Sequence, residues 1–491
     1  MQTPTFLLKR VDLDFGNGNL VEVNFLGPNA DLEKTHISLI AGANGTSKSR
    51  LLATLIGKLC DIESSDTNVA PSRRSPSPSA ANLVCTGVST LTNKFDYLED
   101  NELFEKTGLP NGILALSNLV MDKFHFSRGT DDDAPFYHYL GVRQGTNLTT
   151  TGSTERSVAE AVLHMASDDT RINAFRDWLS LVFASVRELA LSFPRLTRRD
   201  IEGFLSNPNK AQYIQERMER RYTPARIRSL SESTIIETTE QISSLFEFLE
   251  PRLTSYDLPN SRGKSRPEEF LRLSTLSEDE RWYLRTLIKN FSAASRAGFS
   301  AWPSLCIEGY PWIPFGDLSS GEQNLLSVGA KLIAYSKPGC LVVIDEPEVS
   351  LNIAWQQHYI ELILKSLAHA PGSHVLIATH SPHLISSLPD EGASIVLAEK
   401  EDGRVKFKTI DAKFEGWGSE AVLYQVLGIS SASSFQLNRE LAATLKHIQG
   451  GGKDKQLLRG FLKRFSKLEY QDKEPLGLVI AEVRSYLASI E

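Results

Sequence analysis

The chain has 491 residues, 41% of them hydrophobic and 23% charged, and carries a net charge of −7 at pH 7. This length accommodates two or three domains, and the negative charge argues against a protein that coats nucleic acid by bulk electrostatics. No N-terminal leader is evident, no apolar run reaches the ~18 residues that a membrane helix needs, and the four cysteines show no metal-site or disulfide spacing. We therefore expect a reduced, cytoplasmic protein that does not engage a membrane.

The N-terminal part predicts a sheet that leads into a phosphate-binding loop. Segments FLLKRVDLDF and LVEVNFLG flank a GNGN turn and predict a β-hairpin. The apolar strand THISLIAG continues into GANGTSKS (42–49) and then into a helix whose apolar residues recur at helical spacing. In this context the backbone N–H groups of the loop would bind phosphate oxygens, Lys48 would reach the terminal phosphates, and the Ser49 hydroxyl would bind Mg²⁺.

Nine consecutive residues form the predicted phosphate site. They are Gly42, Ala43, Asn44, Gly45, Thr46, Ser47, Lys48, Ser49 and Arg50. Ser47 departs from the usual pattern, which has a glycine directly before the lysine, but serine is small and keeps the backbone donor. We expect phosphate binding to survive and a fast turnover to be less favoured. The alternative interpretation is a glycine-bearing turn that only joins a strand to a helix.

The middle of the chain predicts loops followed by helices. Residues 63–82 are rich in serine and proline and predict a surface loop, and Gln144 lies in a later polar loop, where it either positions water or Mg²⁺ or is simply solvated. Residues 154–300 predict an α-helical insertion, with one helical segment reaching Phe193 and a polar break at 255–269. Its basic run, from Arg217 to Arg228, favours a solvated helix face over nucleic-acid contact.

The C-terminal part returns to sheet-like sequence. LSSGEQ (318–323) predicts a serine-bearing turn that opens a helix, and CLVVIDEPE (340–348) and VLIATHSP (375–382) predict two buried strands. Asp345 and Glu346 end the first strand and His380 ends the second, so a parallel sheet would bring these side chains together at one edge. Residues 396–411 predict edge strands of a hairpin, and the remainder of the chain predicts helices.

In their order and context, these motifs resemble those of the ABC-type ATPases. The signature motif resembles that of the chromosome-maintenance and recombination-repair branch. GANGTSKS resembles the Walker A motif, LSSGEQ the signature motif, LVVIDEPE the Walker B strand and ATHSP the switch-histidine motif. The resemblance covers roughly residues 5–58 and 303–411. It implies an α/β, ABC-ATPase-like P-loop fold with a mixed sheet. The implied regions are 1–153 and 301–411 (the two parts of the ATPase domain), 154–300 (the α-helical insertion) and 412–491 (an α-helical tail).

The resemblance also implies a set of cofactors and roles. ATP and Mg²⁺ would be bound, with the metal held by Ser49 and Asp345 and approached by Gln144. Glu346 would act as general base on the attacking water, and His380 would contact the γ-phosphate. The alternative is that the two acids and the histidine are solvated or satisfied loop residues.

A second copy of the chain is implied by the signature motif. Ser319 and Gly321 would close over ATP held by Lys48 of another protomer, so ATP binding would drive a head-to-tail homodimer. Residues 348–352 occupy the position of the family's inter-subunit loop, where Asn352 replaces the aspartate of the transporter branch.

The biological role is open between three hypotheses. DEPEVSLNIAWQQ and GWGSEAVLYQVLGISSASS resemble stand-alone ATPases of bacterial antiphage systems, closest to the ATPase subunits of Septu and retron-linked systems, which implies a regulatory scaffold for a separate HNH-type nuclease. The first alternative is a DNA-repair ATPase that binds nucleic acid in an ATP-dependent manner. The second is a transporter subunit, which the long insertion disfavours.

Overall fold

The computed structural model describes most of the chain. Its described residues are 4–14, 20–26, 34–43, 45–65, 83–89, 109–119, 122–125, 135–142, 151–183, 188–223, 231–259, 265–309, 312–401, 404–410, 435–465 and 475–490. Asn44, Gln144, most of the Ser/Pro-rich segment and residues 411–434 lie outside these ranges.

Strands and helices are interspersed along the chain. The strands are β1 (Phe6–Asp14), β2 (Leu20–Asn24), β3 (His36–Gly42), β4 (Leu83–Ser89), β5 (Ile113–Ser117), β6 (Tyr137–Tyr139), β7 (Leu189–Phe193), β8 (Thr254–Pro259), β9 (Ser265–Arg272), β10 (Ser304–Ile307), β11 (Ile313–Pro314), β12 (Leu341–Asp345), β13 (His374–Thr379), β14 (Ala393–Glu401) and β15 (Arg404–Ile410). The helices are α1 (Lys48–Ser65), α2 (Thr151–Met165), α3 (Asp169–Val182), α4 (Arg198–Leu205), α5 (Lys210–Glu219), α6 (Glu232–Leu249), α7 (Glu278–Thr286), α8 (Ile288–Arg296), α9 (Ser320–Tyr335), α10 (Ile353–Ser366), α11 (Pro382–Ser386), α12 (Phe435–Gln449), α13 (Lys455–Phe465) and α14 (Pro475–Ile490).

A seven-stranded sheet forms the centre of the fold, in the order β15-β14-β3-β13-β12-β5-β6. All neighbours are parallel except β14 and β15. Alternate residues of β12 enter different apolar clusters: Val342 and Ile344 face the insertion, whereas Leu341 and Val343 face α1. Burial on both faces explains why these strands read as continuous apolar runs. The predicted α/β fold with a mixed sheet is confirmed.

The N-terminal hairpin and the central strand also fold as predicted. Strands β1 and β2 pair antiparallel, with β4 on the other side of β1. Strand β3 lies between β14 and β13 and is buried along its whole length. The prediction of edge strands after residue 396 was wrong for β14, which is an interior strand. Its charged end, Glu399–Glu401, extends past the pairing with β3. Of these two strands, only β15 lies at an edge of the sheet.

The insertion is less helical than its sequence predicts. A five-stranded antiparallel sheet, in the order β11-β10-β7-β9-β8, lies among its helices. The helix predicted to reach Phe193 ends at Val182, and Leu189–Phe193 form the buried strand β7. The polar break at 255–269 is the β8–β9 hairpin. A short apolar run such as LALSF fits both the two-residue period of a strand and the 3.6-residue period of a helix, so spacing alone does not distinguish them.

A partly buried arginine holds the far end of α9, the helix that begins at the 318–323 turn. Arg171 donates from Nη1 to the carbonyl oxygens of Ile333 and Ala334 and from Nη2 to that of Ser336, the last two at 2.9 Å. Asp168 accepts from its Nε at 3.1 Å. Carbonyl groups of a last helical turn have no partner within the helix, so the arginine satisfies them and fixes α9 against α3.

A close approach between α9 and α3 adds to this constraint. A Cβ atom on Gly329 would lie 2.6 Å from the ring of Trp178, so only glycine fits there.

In the described residues, no helix combines the length and apolar character needed to cross a membrane.

Two buried histidines join the base of the central sheet to the N-terminal sheet. His374 Nδ1 accepts from the backbone N–H of Leu8 at 3.0 Å, and its Nε2 lies 2.9 Å from Ser38 Oγ. The His36 ring packs edge-on against it, and His36 Nε2 lies 3.1 Å from Ser394 Oγ. Burial lowers the pKa of His36 to about 4 and the pKa of His374 well below its usual value, so both rings are neutral at pH 7.

Folding stability should therefore fall in mild acid. The unfolded chain binds a proton at each histidine near pH 6.5, whereas folded His36 does so only near pH 4. The unfolded state thus binds more protons in this window, and His36 alone should cost about 1 kcal/mol of unfolding free energy between pH 7.5 and 5.5. Denaturant unfolding at several pH values measures this loss.

Two variants test the assignment. His36→Asn should show a flatter dependence of unfolding free energy on pH, whereas His358→Asn, at an exposed position of α10, should behave as the parent. An unchanged slope in His36→Asn would show that this ring does not contribute to acid sensitivity.

Candidate functional site

The glycines of the 42–49 loop occupy positions where a side chain would clash or strain the backbone. A Cβ on Gly42 would collide with the carbonyl oxygen of Ala398 on β14, which runs alongside. Gly45 has φ +81°, a left-handed conformation that favours glycine. Helix α1 begins at Lys48, so its first N–H groups point into the loop and form a site suited to an anion.

Ser47 adopts the backbone conformation of the glycine that it replaces. Its φ is +64°, in the left-handed region, where a Cβ atom costs roughly 1–2 kcal/mol. The backbone path of the loop is therefore kept at the expense of local strain.

The Lys48 ammonium lies inside the loop. Nζ donates to the carbonyl oxygens of Gly42 (2.8 Å) and Ala43 (3.1 Å). Burial lowers the pKa of Lys48 to about 8, and the negative charges of Glu346, Asp345 and Glu348 oppose this shift. A buried cation beside a helix N-terminus provides the electrostatics that phosphate oxygens need.

Ser49 and Asp345 form a pair suited to a divalent cation. The Ser49 hydroxyl donates to Asp345 Oδ1 at 2.9 Å, while Oδ2 is buried without a hydrogen-bond partner among the described residues. Burial raises the pKa of Asp345 to about 6, the Ser49 hydrogen bond lowers it, and the charges of Glu346 and Asp122 raise it further. A hydroxyl and an unsatisfied carboxylate oxygen are the ligands that Mg²⁺ takes beside phosphate, so these residues fit the metal.

Glu346 and His380 meet beside the lysine. His380 Nε2 lies 3.0 Å from Glu346 Oε1, and Nδ1 lies 2.7 Å from the Gly42 carbonyl oxygen. Both partner atoms are acceptors, so the ring nitrogen that carries the proton can donate to its partner. Glu346 itself has φ +49°, a strained conformation that turns its carboxylate away from the end of β12. Lys48 Nζ is 3.3 Å from the ring nitrogens, which completes a compact group of four side chains with Asp345.

Glu348 is a positioning residue that the sequence reading assigned only to a loop. Its Oε1 accepts from the backbone N–H of His380 at 2.7 Å and from the Thr379 hydroxyl at 2.9 Å. It therefore fixes the backbone on which the histidine stands. The sequence feature that could have identified Glu348 is its position two residues after Glu346, just beyond the end of the same strand.

The 318–323 turn and the 348–352 loop form one surface of the chain. Ser319 caps α9 in a reciprocal capping box with Glu322. Asn324 Nδ2 donates to the Val349 carbonyl oxygen at 3.1 Å, and Gly321 lies so close to Ser350 that a Cβ would be 3.1 Å from its carbonyl oxygen. The two segments therefore pack directly against each other.

Much of this surface faces outward. Ser319 and Ser350 are exposed, and Ile353 at the start of α10 is 58% exposed. Asn352, which replaces an aspartate of the transporter branch, caps α10 by accepting from the Trp355 N–H at 3.0 Å. Its structural task here is helix capping.

Two buried contacts connect α9 to the metal-binding pair. Lys331 of α9 is 3% exposed and donates to the Leu140 carbonyl oxygen at 3.0 Å, and burial lowers the pKa of Lys331 to about 8. The adjacent Tyr139 donates its hydroxyl to the buried carboxylate of Asp122, the same carboxylate that raises the pKa of Asp345. In the sequence, Lys331 stands out as a lone charge within an apolar run.

Other predicted residues are exposed, lie in the insertion, or fall outside the described residues. Arg50 is exposed on the first turn of α1, and Asn44 and Gln144 lie outside the described residues. Arg217 stacks on Phe299 with the guanidinium 4.0 Å from the ring centre, and Arg221 donates to the Ser295 carbonyl oxygen. These contacts within the chain favour the structural interpretation of this basic run.

One family model matches about half of the chain. Residues 143–386 match the family described as "AAA domain, putative AbiEii toxin, Type IV TA system". The match spans the 318–323 turn, the Asp345–Glu346 pair and His380, and begins after the phosphate loop. No curated protein gives a significant match.

Solved structures show a distant likeness. The SMC head domain from Pyrococcus furiosus, bound to the C-terminal domain of ScpA, aligns over 82% of this chain and 96% of its own at 11% identity, with a TM-score of 0.31. The SMC head domain from Thermotoga maritima aligns over 82% and 99% at 11% identity, with a TM-score of 0.28. The ADP form of an ATP-binding cassette from an ABC transporter aligns over 89% and 99% at 13% identity, with a TM-score of 0.28.

Residues 143–386 therefore resemble an AAA-family, ATPase-like domain.

The strain at Ser47 yields a test of the loop. Ser47→Gly should raise the unfolding free energy by about 1 kcal/mol, because glycine adopts the left-handed conformation without the Cβ cost. Calorimetry or denaturant unfolding measures the gain, and nucleotide affinity should be retained.

Ser47→Ala is the matched control, since it keeps the Cβ and removes only the hydroxyl. If alanine stabilised the protein as much as glycine does, backbone strain at this position would not be the cause.

Proposed function

We propose that this chain binds ATP with Mg²⁺ and hydrolyses it to ADP and phosphate. The observation that carries the proposal is the meeting of two pairs around Lys48: Ser49 with Asp345 at 2.9 Å, and Glu346 with His380 at 3.0 Å. One pair suits a metal and the other suits proton transfer and phosphate contact. This is the division of tasks that phosphoryl transfer to water requires.

The residues act in a defined order. Loop N–H groups and the Lys48 ammonium bind the β- and γ-phosphate oxygens, and His380 donates to the γ-phosphate from the adjacent strand end. Glu346 accepts the proton of the attacking water as the oxygen–phosphorus bond forms and the bond to ADP breaks. Mg²⁺, held by Ser49 and Asp345, would neutralise charge that develops on the phosphate oxygens.

ATP binding should also join two copies of the chain. Support comes from the exposed surface formed by the 318–323 turn and the 348–352 loop, which presents Ser319 and the capped N-terminus of α9 outward. A helix N-terminus favours an anion, and the ATP bound by a partner protomer provides one. A two-fold dimer would hold two nucleotides between the protomers.

Lys48→Ala and Glu346→Gln should separate binding from hydrolysis. Lys48→Ala should weaken ATP binding by at least about 30-fold, because it removes the buried cation facing the phosphates. Glu346→Gln should keep ATP binding but lower the rate of phosphate release by about 10²–10⁴, and should accumulate as an ATP-bound dimer. Equilibrium dialysis, phosphate release and sedimentation velocity measure the three quantities.

The two variants also control for each other. Both alter a charge in the same cluster, but only Glu346→Gln is expected to form the dimer. Normal phosphate release by Glu346→Gln would show that another group accepts the proton.

The ATP-bound dimer is further proposed to be the regulatory scaffold of an antiphage complex. Support comes from the resemblance of DEPEVSLNIAWQQ to ATPases of such systems, and the matched family is described in terms of a toxin and a Type IV TA system. In this role the ATPase restrains a separate nuclease, and a change of nucleotide state releases it.

Co-expression with the product of the neighbouring gene tests this role. A stable complex should form in which DNA cleavage is low with Glu346→Gln, which retains ATP, and higher with Lys48→Ala, which cannot bind it. A neighbour that forms no complex, or that is neither toxin nor nuclease, would contradict the scaffold role without affecting the ATPase assignment.

A further inference from the structure

The three C-terminal helices form a small unit with an apolar core of its own. Helix α14 packs against both α12 and α13. The buried side chains of this core are Leu458, Phe461, Phe465, Ile480, Val483 and Leu487. The apolar faces of the helices are therefore covered within the unit, and its outward face is not needed for folding.

The outward face is strongly basic, in a chain whose net charge is −7. Between residues 439 and 464, seven charged side chains are basic and two are acidic. The basic residues are Arg439, Lys446, Lys453, Lys455, Arg459, Lys463 and Arg464. All are exposed except Lys455, which is half-buried. Arg464 forms an ion pair with Glu440 at 3.5 Å, and Arg459 and Lys463 also interact with other groups of the chain. This part of the molecule thus has the opposite charge to the remainder.

Helix α13 orders three of these cations in a row. Lys455, Arg459 and Lys463 follow one another at four-residue spacing, so they share one side of the helix about 6 Å apart along its axis. Leu458 and Phe461 lie in the core on the other side. Nucleic acid carries one negative charge per roughly 3.4 Å of each strand, so cations about 6 Å apart lie alongside about every second phosphate.

We propose that residues 439–464 form a surface that binds the phosphate backbone of nucleic acid without reading base sequence. An acidic partner protein would be the other candidate. A stable protein interface is centred on aromatic or aliphatic anchors, whereas phosphate contact needs only cations. Leu457, 43% exposed, is the one apolar residue among the exposed positions of α13, which favours nucleic acid. This surface is distinct from the ATP site and adds a polyanion ligand to the proposed ATPase.

Salt-dependent binding of duplex DNA by the full-length chain tests the proposal. The probe is a fluorescent duplex of random sequence, followed by anisotropy between 50 and 200 mM salt. In the parent protein, log affinity should fall linearly with log salt concentration. Arg459→Gln/Lys463→Gln should reduce that slope by about 1.8, since each lost phosphate contact contributes about 0.9, and should weaken binding at least tenfold at low salt.

Matched variants separate local contact from net charge. Arg199→Gln/Arg220→Gln removes the same charge from exposed positions of the insertion and should bind DNA as the parent does. Arg459→Lys/Lys463→Arg keeps the charge and should also bind normally. Lys48→Ala should retain DNA binding while losing ATP, so failure of this proposal and failure of the ATPase proposal are distinguishable. Equal thermal unfolding of all variants excludes misfolding.

Three results would overturn the proposal. One is an unchanged salt slope in Arg459→Gln/Lys463→Gln, and another is equal weakening in Arg199→Gln/Arg220→Gln. The third is competition by poly-glutamate as strong, per charge, as competition by DNA, which would assign the surface to acidic protein segments. A parallel measurement with duplex RNA of the same length determines which nucleic acid is preferred.

Discussion

The parallel register of β3, β13 and β12 determines where the reactive groups lie. Ala41 pairs with Thr379, and Asp345 pairs with Ala378, so the three strands end at nearly the same level. The backbone N–H of Glu346 donates to the Ala378 carbonyl oxygen at 2.9 Å, which extends the ladder into the site. A slip of one residue would turn every side chain of a strand to the opposite face, so burial on both faces protects this geometry.

Burial then gives the site its electrostatic character. Lys48 and Asp345 are both removed from water, which lowers the pKa of the lysine and raises that of the aspartate. The charge of each opposes the shift in the other, yet desolvation remains the larger effect. An anion beside the lysine and a divalent cation beside the aspartate would offset the same desolvation. The pair is therefore matched to a metal–nucleotide complex, and the cost of burying it is balanced by the binding that it favours.

The sequence was most informative where the backbone demands particular residues. GANGTSKS between a strand and a helix predicted the loop because glycine and the Lys-Ser pair have separate physical reasons there, and the apolar runs predicted strands because parallel strands are buried on both sides. Contacts between distant segments carried no such local signal. Three hydrogen-bonded contacts join residues that only the tertiary fold brings together. They are Lys331 with Leu140, Arg171 with the end of α9, and Glu348 with His380. The β-sheet within the insertion was missed for a related reason, since its short apolar runs fit both periods.

Backbone strain in the described residues is concentrated at and beside the candidate site. In the described residues, the non-glycine positions with positive φ are Ser47, Glu346 and Ser350. They lie before the phosphate-binding lysine, at the proposed general base, and in the loop beside Gly321. Each of these conformations costs of the order of 1–2 kcal/mol. A fold selected by packing alone would place glycine at these positions. Strain that clusters around one group of charged side chains is instead what a preorganised site requires, because the backbone there is set by where the side chains must point.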